Sequence, residues 1–381
     1  MTTALLVGHY NHYNLGDNAL AAVAAWGAGT FFDADRVYAT TAELPHIKGL
    51  RAKSLYYPWH IRGATRLNRI RESFVCRRSQ TIILGGGSTV HSAEHIERYE
   101  RMLDRAGAGP HFAAGVSIGP FRDSTAERAC GRLLKRLDFV GVRDPLSHER
   151  AKDLAPDSRI ELTFDLAPLL TPAFGEPHQD ASDRSGLGIV LAHKPKVSGW
   201  TEREQPRIQR VADAILRCAA RGIVNEVVLI DFALTRSDGA VRDRESHLEL
   251  ADALKGQVQI RHIPYSHDPL LAWKVIGKLQ AVVGMRMHAA VVGYCEHVPT
   301  VVLAYDEKCY QWARMVGLPD SVVFDADNVD PAELATGIEH AMLGEDVAEL
   351  PVEEAVQRAR RNWDWARAER SVTLQPALRH G

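Results

Sequence analysis

From end to end, short apolar runs alternate with longer segments of helical period. Residues 5–7, 81–84, 112–116, 138–142 and 160–162 read as strands, with a weaker one at 35–38. The pattern starts again at 187–191, 226–230, 258–262, 281–284 and 300–303. Between these lie predicted helices at 18–26, 63–78, 128–137, 147–154, 205–221, 245–254, 268–278 and 289–296, then 331–343 and 352–369. Strands that alternate with helices imply βαβ units and parallel sheets. The alternation breaks once, at TPAFGEPHQDASDRS (171–185), which is rich in Pro, Gly, Ser and charge and reads as a linker. The expected fold class is therefore α/β with two Rossmann-like domains. Residues 1–172 would form the first and 183–350 the second, leaving 351–381 as a C-terminal helix and tail.

Composition narrows the function. The chain has 381 residues, 45% hydrophobic and 25% charged, an ordinary globular balance. A net charge of -2 argues against a general nucleic-acid binder. Five scattered cysteines with no C-x-x-C pair argue against a zinc cage or a disulfide framework, and for a reducing cytosol. The 17 histidines form no H-E-x-x-H motif. MTTALLVGHY leads almost directly into a strand, without the layout of a signal peptide. The expectation is a cytoplasmic protein that can meet the inner membrane face.

The densest chemistry lies at 283–311, VGMRMHAAVVGYCEHVPTVVLAYDEKCYQ. Arg286 and His288 follow one predicted strand where a helix starts. Tyr305, Asp306 and Lys308 follow the next strand at the same kind of junction. Ligands of open α/β sheets sit at this edge, and a helix N-terminus adds free N–H groups. The cluster suits a small anion, although a single cation at a helix start is usually a solvated surface charge. Arg143 is a third cation at a strand end, with an ion pair to Asp144 or another carboxylate as its bland alternative. Gly85-Gly86-Gly87-Ser88 reads as a loop whose backbone N–H groups a ligand could approach, or else a tight turn. Asp17 could cap the helix after the loop GHYNHYNLG, and Asp165 could cap another. Tyr56, Tyr57, Trp59 and His60 could stack on a sugar, but packing under a loop is commoner. The very basic helix at 63–78 could face an anionic polymer or a phospholipid surface, where a solvated face is the commoner outcome.

Several of these segments together resemble the polysaccharide pyruvyl transferases. They are Asn14-Leu15-Gly16-Asp17-Asn18, Leu84-Gly85-Gly86-Gly87, Gly115-Val116-Ser117-Ile118-Gly119-Pro120, Val142-Arg143-Asp144 with Ser147, and Asp165. The most specific is Gly284-Met285-Arg286-Met287-His288-Ala289 through Val298-Pro299 to Tyr305 and Lys308. The sequence departs from the family pattern at Ser88-Thr89-Val90-His91 and at Ser117. The resemblance implies a GT-B-like fold with its two domains facing a central cleft. It also implies transfer of pyruvate from phosphoenolpyruvate to a sugar as a ketal. The first domain would take the saccharide or lipid-linked saccharide acceptor and the second would take phosphoenolpyruvate.

The residues suit that chemistry on their own terms. Phosphoenolpyruvate places a carboxylate and a phosphate on a small frame, and fixed cations suit both groups. Arg286, Lys308 and Arg143 are the expected donor-binding residues, and His288 the general acid or base. Asn14, Asp17, Gly86, Gly87, Ser88 and Asp165 are expected to orient the acceptor or support loops. No metal or other cofactor is expected, and phosphoenolpyruvate is a co-substrate. Two other functions fit the same architecture. One is a nucleotide-sugar glycosyltransferase, with Glu307 on the ribose. The other is a non-catalytic anion- or sugar-binding module.

Overall fold

The computed structural model describes residues 2–10, 13–58, 61, 63–175, 181–193, 199–234 and 242–373. Trp59, His60, linker residues 176–180 and the tail beyond 373 lie outside the described residues. The chain forms two compact units. Residues 1–11, 17–174 and 353–381 make the first, and residues 12–16 and 175–352 make the second.

In chain order the first unit contains β1 (Thr3–Val7), most of α1 (Leu15–Phe31), β2 (Arg36–Ala39), β3 (Lys53–Ser54), α2 (Ala64–Arg78) and β4 (Thr81–Val90). It continues with α3 (Ala93–Leu103), β5 (Phe112–Ile118), α4 (Ser124–Leu134), β6 (Phe139–Val142), α5 (Pro145–Leu154), β7 (Ile160–Leu162) and α6 (Leu170–Phe174). Its seven-stranded sheet has the order β3-β2-β1-β4-β5-β6-β7 and is parallel throughout. Helices cover both faces of such a sheet, so its strands are apolar along their length. Leu5, Ile82, Leu84, Val116 and Val140 are each buried in its core. Each such side chain contributes roughly 1.5–3 kcal/mol on leaving water.

The second unit contains β8 (Leu187–Val190), α7 (Trp200–Ala220), β9 (Glu226–Ile230), α8 (Arg242–Ala253), β10 (Gln259–Ile263) and α9 (Pro269–Ile276). Then come β11 (Ala281–Gly284), α10 (Met287–Cys295), β12 (Thr300–Ala304), α11 (Glu307–Val316), β13 (Val323–Asp325) and α12 (Pro331–Met342). Its six-stranded parallel sheet has the order β10-β9-β8-β11-β12-β13. Helix α10 is buried at every position but His288, which explains why its sequence is apolar all round.

The final helix, α13 (Val352–Thr373), packs into the first unit. Asn362 is its anchor. Its Oδ1 accepts from Gly115 N–H (2.8 Å) and Thr163 Oγ1 (2.9 Å), and its Nδ2 donates to the Phe164 carbonyl (3.1 Å). Trp363 is fully buried and stacks on Phe31, and Trp365 stacks on Phe139.

Two local expectations need correction. Gly85-Gly86-Gly87-Ser88 is not a loop, because β4 runs through it to Val90. The pairing with β5 shifts register between Gly87 and Val90, so the strand is kinked while remaining paired. Gly86 (φ 75°) and Gly87 (φ 81°) take left-handed conformations that only glycine adopts cheaply. Gly85 is glycine for a different reason. The buried Tyr10 hydroxyl donates to its carbonyl at 2.7 Å, leaving no room for a side chain. The second correction concerns α1, which begins at Leu15, so Asp17 lies inside the first turn and is not its cap. Asn14 precedes the helix instead, and its Oδ1 accepts from Gly16 N–H at 2.9 Å.

Candidate functional site

The order of the second sheet reverses between β8 and β11, and the loops leaving their carboxyl ends flank that switch point. His193 lies just beyond β8, and Arg286 just beyond β11. Both meet Asp243, a fully buried carboxylate in the first turn of α8. Arg286 donates from Nε to Asp243 Oδ2 (2.7 Å) and from Nη2 to Oδ1 (2.5 Å). The backbone N–H groups of His193 (3.3 Å), Phe232 (3.2 Å) and Ala233 (2.8 Å) also donate to Asp243. One carboxylate thus ties the ends of β8, β9 and β11 together and fixes the plane of the Arg286 fork.

A second layer supports His193. Its Nδ1 donates to Glu204 Oε1 at 2.6 Å, and Ser246 Oγ donates to the same oxygen at 2.5 Å. His193 and Glu204 are both about nine-tenths buried, with side-chain exposures of 10% and 11%.

His288 occupies the first turn of α10, two residues past Arg286. Gly16 lies directly against its ring. A β-carbon at Gly16 would come within 2.1 Å of His288 Nδ1, so the close approach requires glycine. Segment 12–16 belongs to the second unit in other ways too. Leu15 N–H donates to the Phe232 carbonyl at 2.9 Å, and Asn14 forms a bridge with Ala233. On the neighbouring strand, Asp306 caps α11, and Lys308 Nζ lies 3.4 Å from its carboxylate. The same Nζ stands 5.6 Å from the centre of the Tyr305 ring. Burial pushes the Tyr305 phenol above its ordinary range, against the pull of Lys308.

Asp231, His247 and His262 also gather in this unit, with ligand-type atoms close enough to share a metal ion. The sequence gives no sign of this set, because the three residues lie on separate elements. Hydrogen bonding argues against a metal here. Leu191 N–H donates to His247 Nε2 (3.0 Å), so the proton sits on Nδ1, which donates to Asp231 Oδ1 (2.7 Å). His262 Nε2 reaches the same oxygen at 2.9 Å. A metal would have to displace the proton from His247 Nδ1.

The first unit holds the remaining expected residues. Arg143, at the end of β6, is buried. It donates from Nη1 to Asp165 Oδ2 (2.7 Å), from Nε to Ser117 Oγ (2.7 Å) and from Nη2 to Ser88 Oγ (3.3 Å). Its carboxylate partner is Asp165; Asp144 instead caps α5, accepting from Ser147 N–H at 2.8 Å. Asp165 does two jobs, since its Oδ1 also accepts from Ala167 N–H at 2.9 Å. Gly86, Gly87 and Ser88 lie on β4, and Asp17 is half-buried in α1.

Two parallel α/β units of this kind define the GT-B-like class. Solved structures agree at the level of fold. A putative UDP-N-acetylglucosamine 2-epimerase from Listeria monocytogenes matches 97% of this chain and 98% of its own, at 11% identity and a TM-score of 0.60. The UDP-GlcNAc 2-epimerase from Methanocaldococcus jannaschii covers 95% and 98%, at 10% identity and a TM-score of 0.58. The UDP-GlcNAc 2-epimerase from Neisseria meningitidis covers 98% and 100%, at 13% identity and a TM-score of 0.56. Within that class the sequence is more specific: residues 14–307 match the polysaccharide pyruvyl transferase family, and the chain belongs to it.

Proposed function

We propose that the chain transfers the pyruvyl group of phosphoenolpyruvate to two hydroxyls of one sugar, forming a ketal and releasing phosphate. The family match over residues 14–307, which spans Arg286, His288 and Glu307, carries this reading. In the reaction, C3 of phosphoenolpyruvate takes a proton and becomes a methyl group. The resulting cation at C2 is captured by one sugar hydroxyl. The C2–O bond to phosphate then breaks, and the second hydroxyl closes the ketal. Of the two hydroxyl protons, one balances that taken by C3 and the other leaves with phosphate.

Arg286 and Lys308 hold the donor anion in this scheme, and His288 moves the proton. The Asp243 grip fixes the plane in which the Arg286 guanidinium meets the donor. Asn14, Asp17, Ser88 and Asp165 orient the acceptor or hold the loops around it. The acceptor is a saccharide, free or lipid-linked, in the synthesis of a cell-surface or extracellular glycan.

Incubation with phosphoenolpyruvate and a panel of glycosides tests the reading. The expected result is a pyruvyl ketal, detected by mass, together with released phosphate. The neighbours named as UDP-GlcNAc 2-epimerases make UDP-GlcNAc the natural control. Stabilisation by that nucleotide sugar, with none by phosphoenolpyruvate, would move the assignment to nucleotide-sugar chemistry.

A further inference from the structure

Helix α2 turns an apolar stripe outward. Leu67, Ile70 and Phe74 are spaced three and four residues apart, so they share one helix face. They are 45%, 58% and 53% exposed, while Val75 and Cys76 supply the buried face. Exposed apolar residues scattered singly are ordinary; three aligned on one helix are not. Tyr57 and Ile61, just before the helix, are 40% and 39% exposed. Tyr57 is tied to α2 through Asn68, which accepts from its N–H (2.7 Å) and donates to its carbonyl (3.1 Å).

Basic charge surrounds the stripe. The helix carries Arg66, Arg69, Arg71, Arg77 and Arg78 against a single acid, Glu72. Arg78 lies over the Phe74 ring at 3.8 Å, and Arg71 over the Tyr57 ring at 4.4 Å. Beside α2 opens a pocket of about 610 Å³ in which Arg69, Arg98, Arg101 and Arg105 outnumber the acids Glu72 and Glu94. Glu72 is already engaged by Arg98. The chain as a whole carries a net charge of -2, so this positive field is local. An apolar stripe bordered by arginines has the composition of a helix that lies in a membrane interface.

We propose that α2 docks the first unit on the surface of an anionic phospholipid bilayer. Leu67, Ile70 and Phe74 enter the boundary between headgroups and acyl chains. The bordering arginines, and those of the adjacent pocket, meet lipid phosphates. Charge complementarity selects this occupant, because a neutral protein face would meet the stripe but leave the arginines unmatched. The proposal does not depend on which sugar is modified.

Vesicle flotation of the full chain tests it. The protein should float with vesicles of equal parts phosphatidylcholine and phosphatidylglycerol, and stay behind with phosphatidylcholine alone. Leu67→Ser/Ile70→Ser/Phe74→Ser should abolish flotation and leave the melting temperature unchanged. Arg66→Gln/Arg77→Gln, an independent pair that leaves the apolar stripe intact, should weaken binding by roughly tenfold or more. Failure of the unaltered chain to float, or flotation that survives both variants, would overturn the proposal. So would self-association without vesicles that the serine variant removes, since a second copy would then be the occupant.

Discussion

Asp243 grips Arg286 with both carboxylate oxygens from a position with no exposure to solvent. The arginine side chain is itself only 11% exposed. A buried pair of this kind gains little net stability from forming, but losing one partner strands the other charge. Its value here is orientation. The guanidinium is presented at the carboxyl edge of the sheet in one fixed plane.

Asp243→Asn should therefore do two things. It should destabilise the fold by about 3 kcal/mol or more, as expected when a buried charge loses its partner. It should also raise KM for phosphoenolpyruvate more than it lowers kcat, because Arg286 would lose its orientation. Denaturant unfolding and steady-state kinetics on one preparation separate these effects. A stability loss with unchanged KM would mean that Asp243 serves only the fold.

Much of the second sheet was legible in the sequence. The runs at 281–284 and 300–303 are strands because parallel strands buried on both faces must be apolar throughout. Arg286 and Lys308 lie just past the ends of those strands, as the strand-to-helix junctions implied. Asp243, Glu204 and His193 were not legible. Each is an ordinary polar residue in its own segment, and it becomes part of one network only when β8, β9 and β11 are set side by side. The triglycine was misread for a related reason. Glycines signal a turn locally, but here pairing with β5 keeps them in a strand and the cost appears as a register shift.

Acid should weaken the first unit. Burial holds His91 below the ordinary histidine value of 6.5, and neighbouring His95 adds to the effect. Burial likewise lowers His111, whose Nδ1 accepts from Ile82 N–H at 3.1 Å and must be unprotonated to do so. With folded pKa values below the unfolded ones, the unfolded chain takes up protons first as pH falls. The stabilisation is complete above pH 6.5 and is lost as pH drops through the lower folded values. The melting temperature should decline across that window, and more gently in His91→Gln/His111→Gln. An unchanged slope in the double variant would assign the acid sensitivity elsewhere.

Asn362 gives a test of how α13 is held. Asn362→Leu keeps the bulk but leaves Gly115 N–H and the Phe164 carbonyl without this partner. Each buried group left unsatisfied costs about 1–3 kcal/mol. The variant should unfold at lower denaturant concentration by the sum of those losses. Removing α13 altogether would also take away Trp363 and Trp365, uncover the Phe31 and Phe139 rings they stack on, and should lower stability further.

Gly16 and His288 separate position from chemistry. Gly16→Ala places a methyl group where the imidazole now sits, at 2.1 Å from Nδ1, so the ring must turn away. If His288 moves the proton, that displacement should lower kcat although the histidine is still present. His288→Gln keeps a hydrogen-bonding side chain without its proton transfer and should lose roughly 10²–10⁴-fold in turnover. Lys308→Ala should act differently, raising KM for phosphoenolpyruvate as a charge-assisted contact worth about 1.5–3 kcal/mol is lost. Combining Gly16→Ala with His288→Gln should cost little more than His288→Gln alone, because both act through one ring. Additive losses in the double variant, or near-normal turnover in His288→Gln at a reduced melting temperature, would make His288 a packing residue and move the proton transfer to another group.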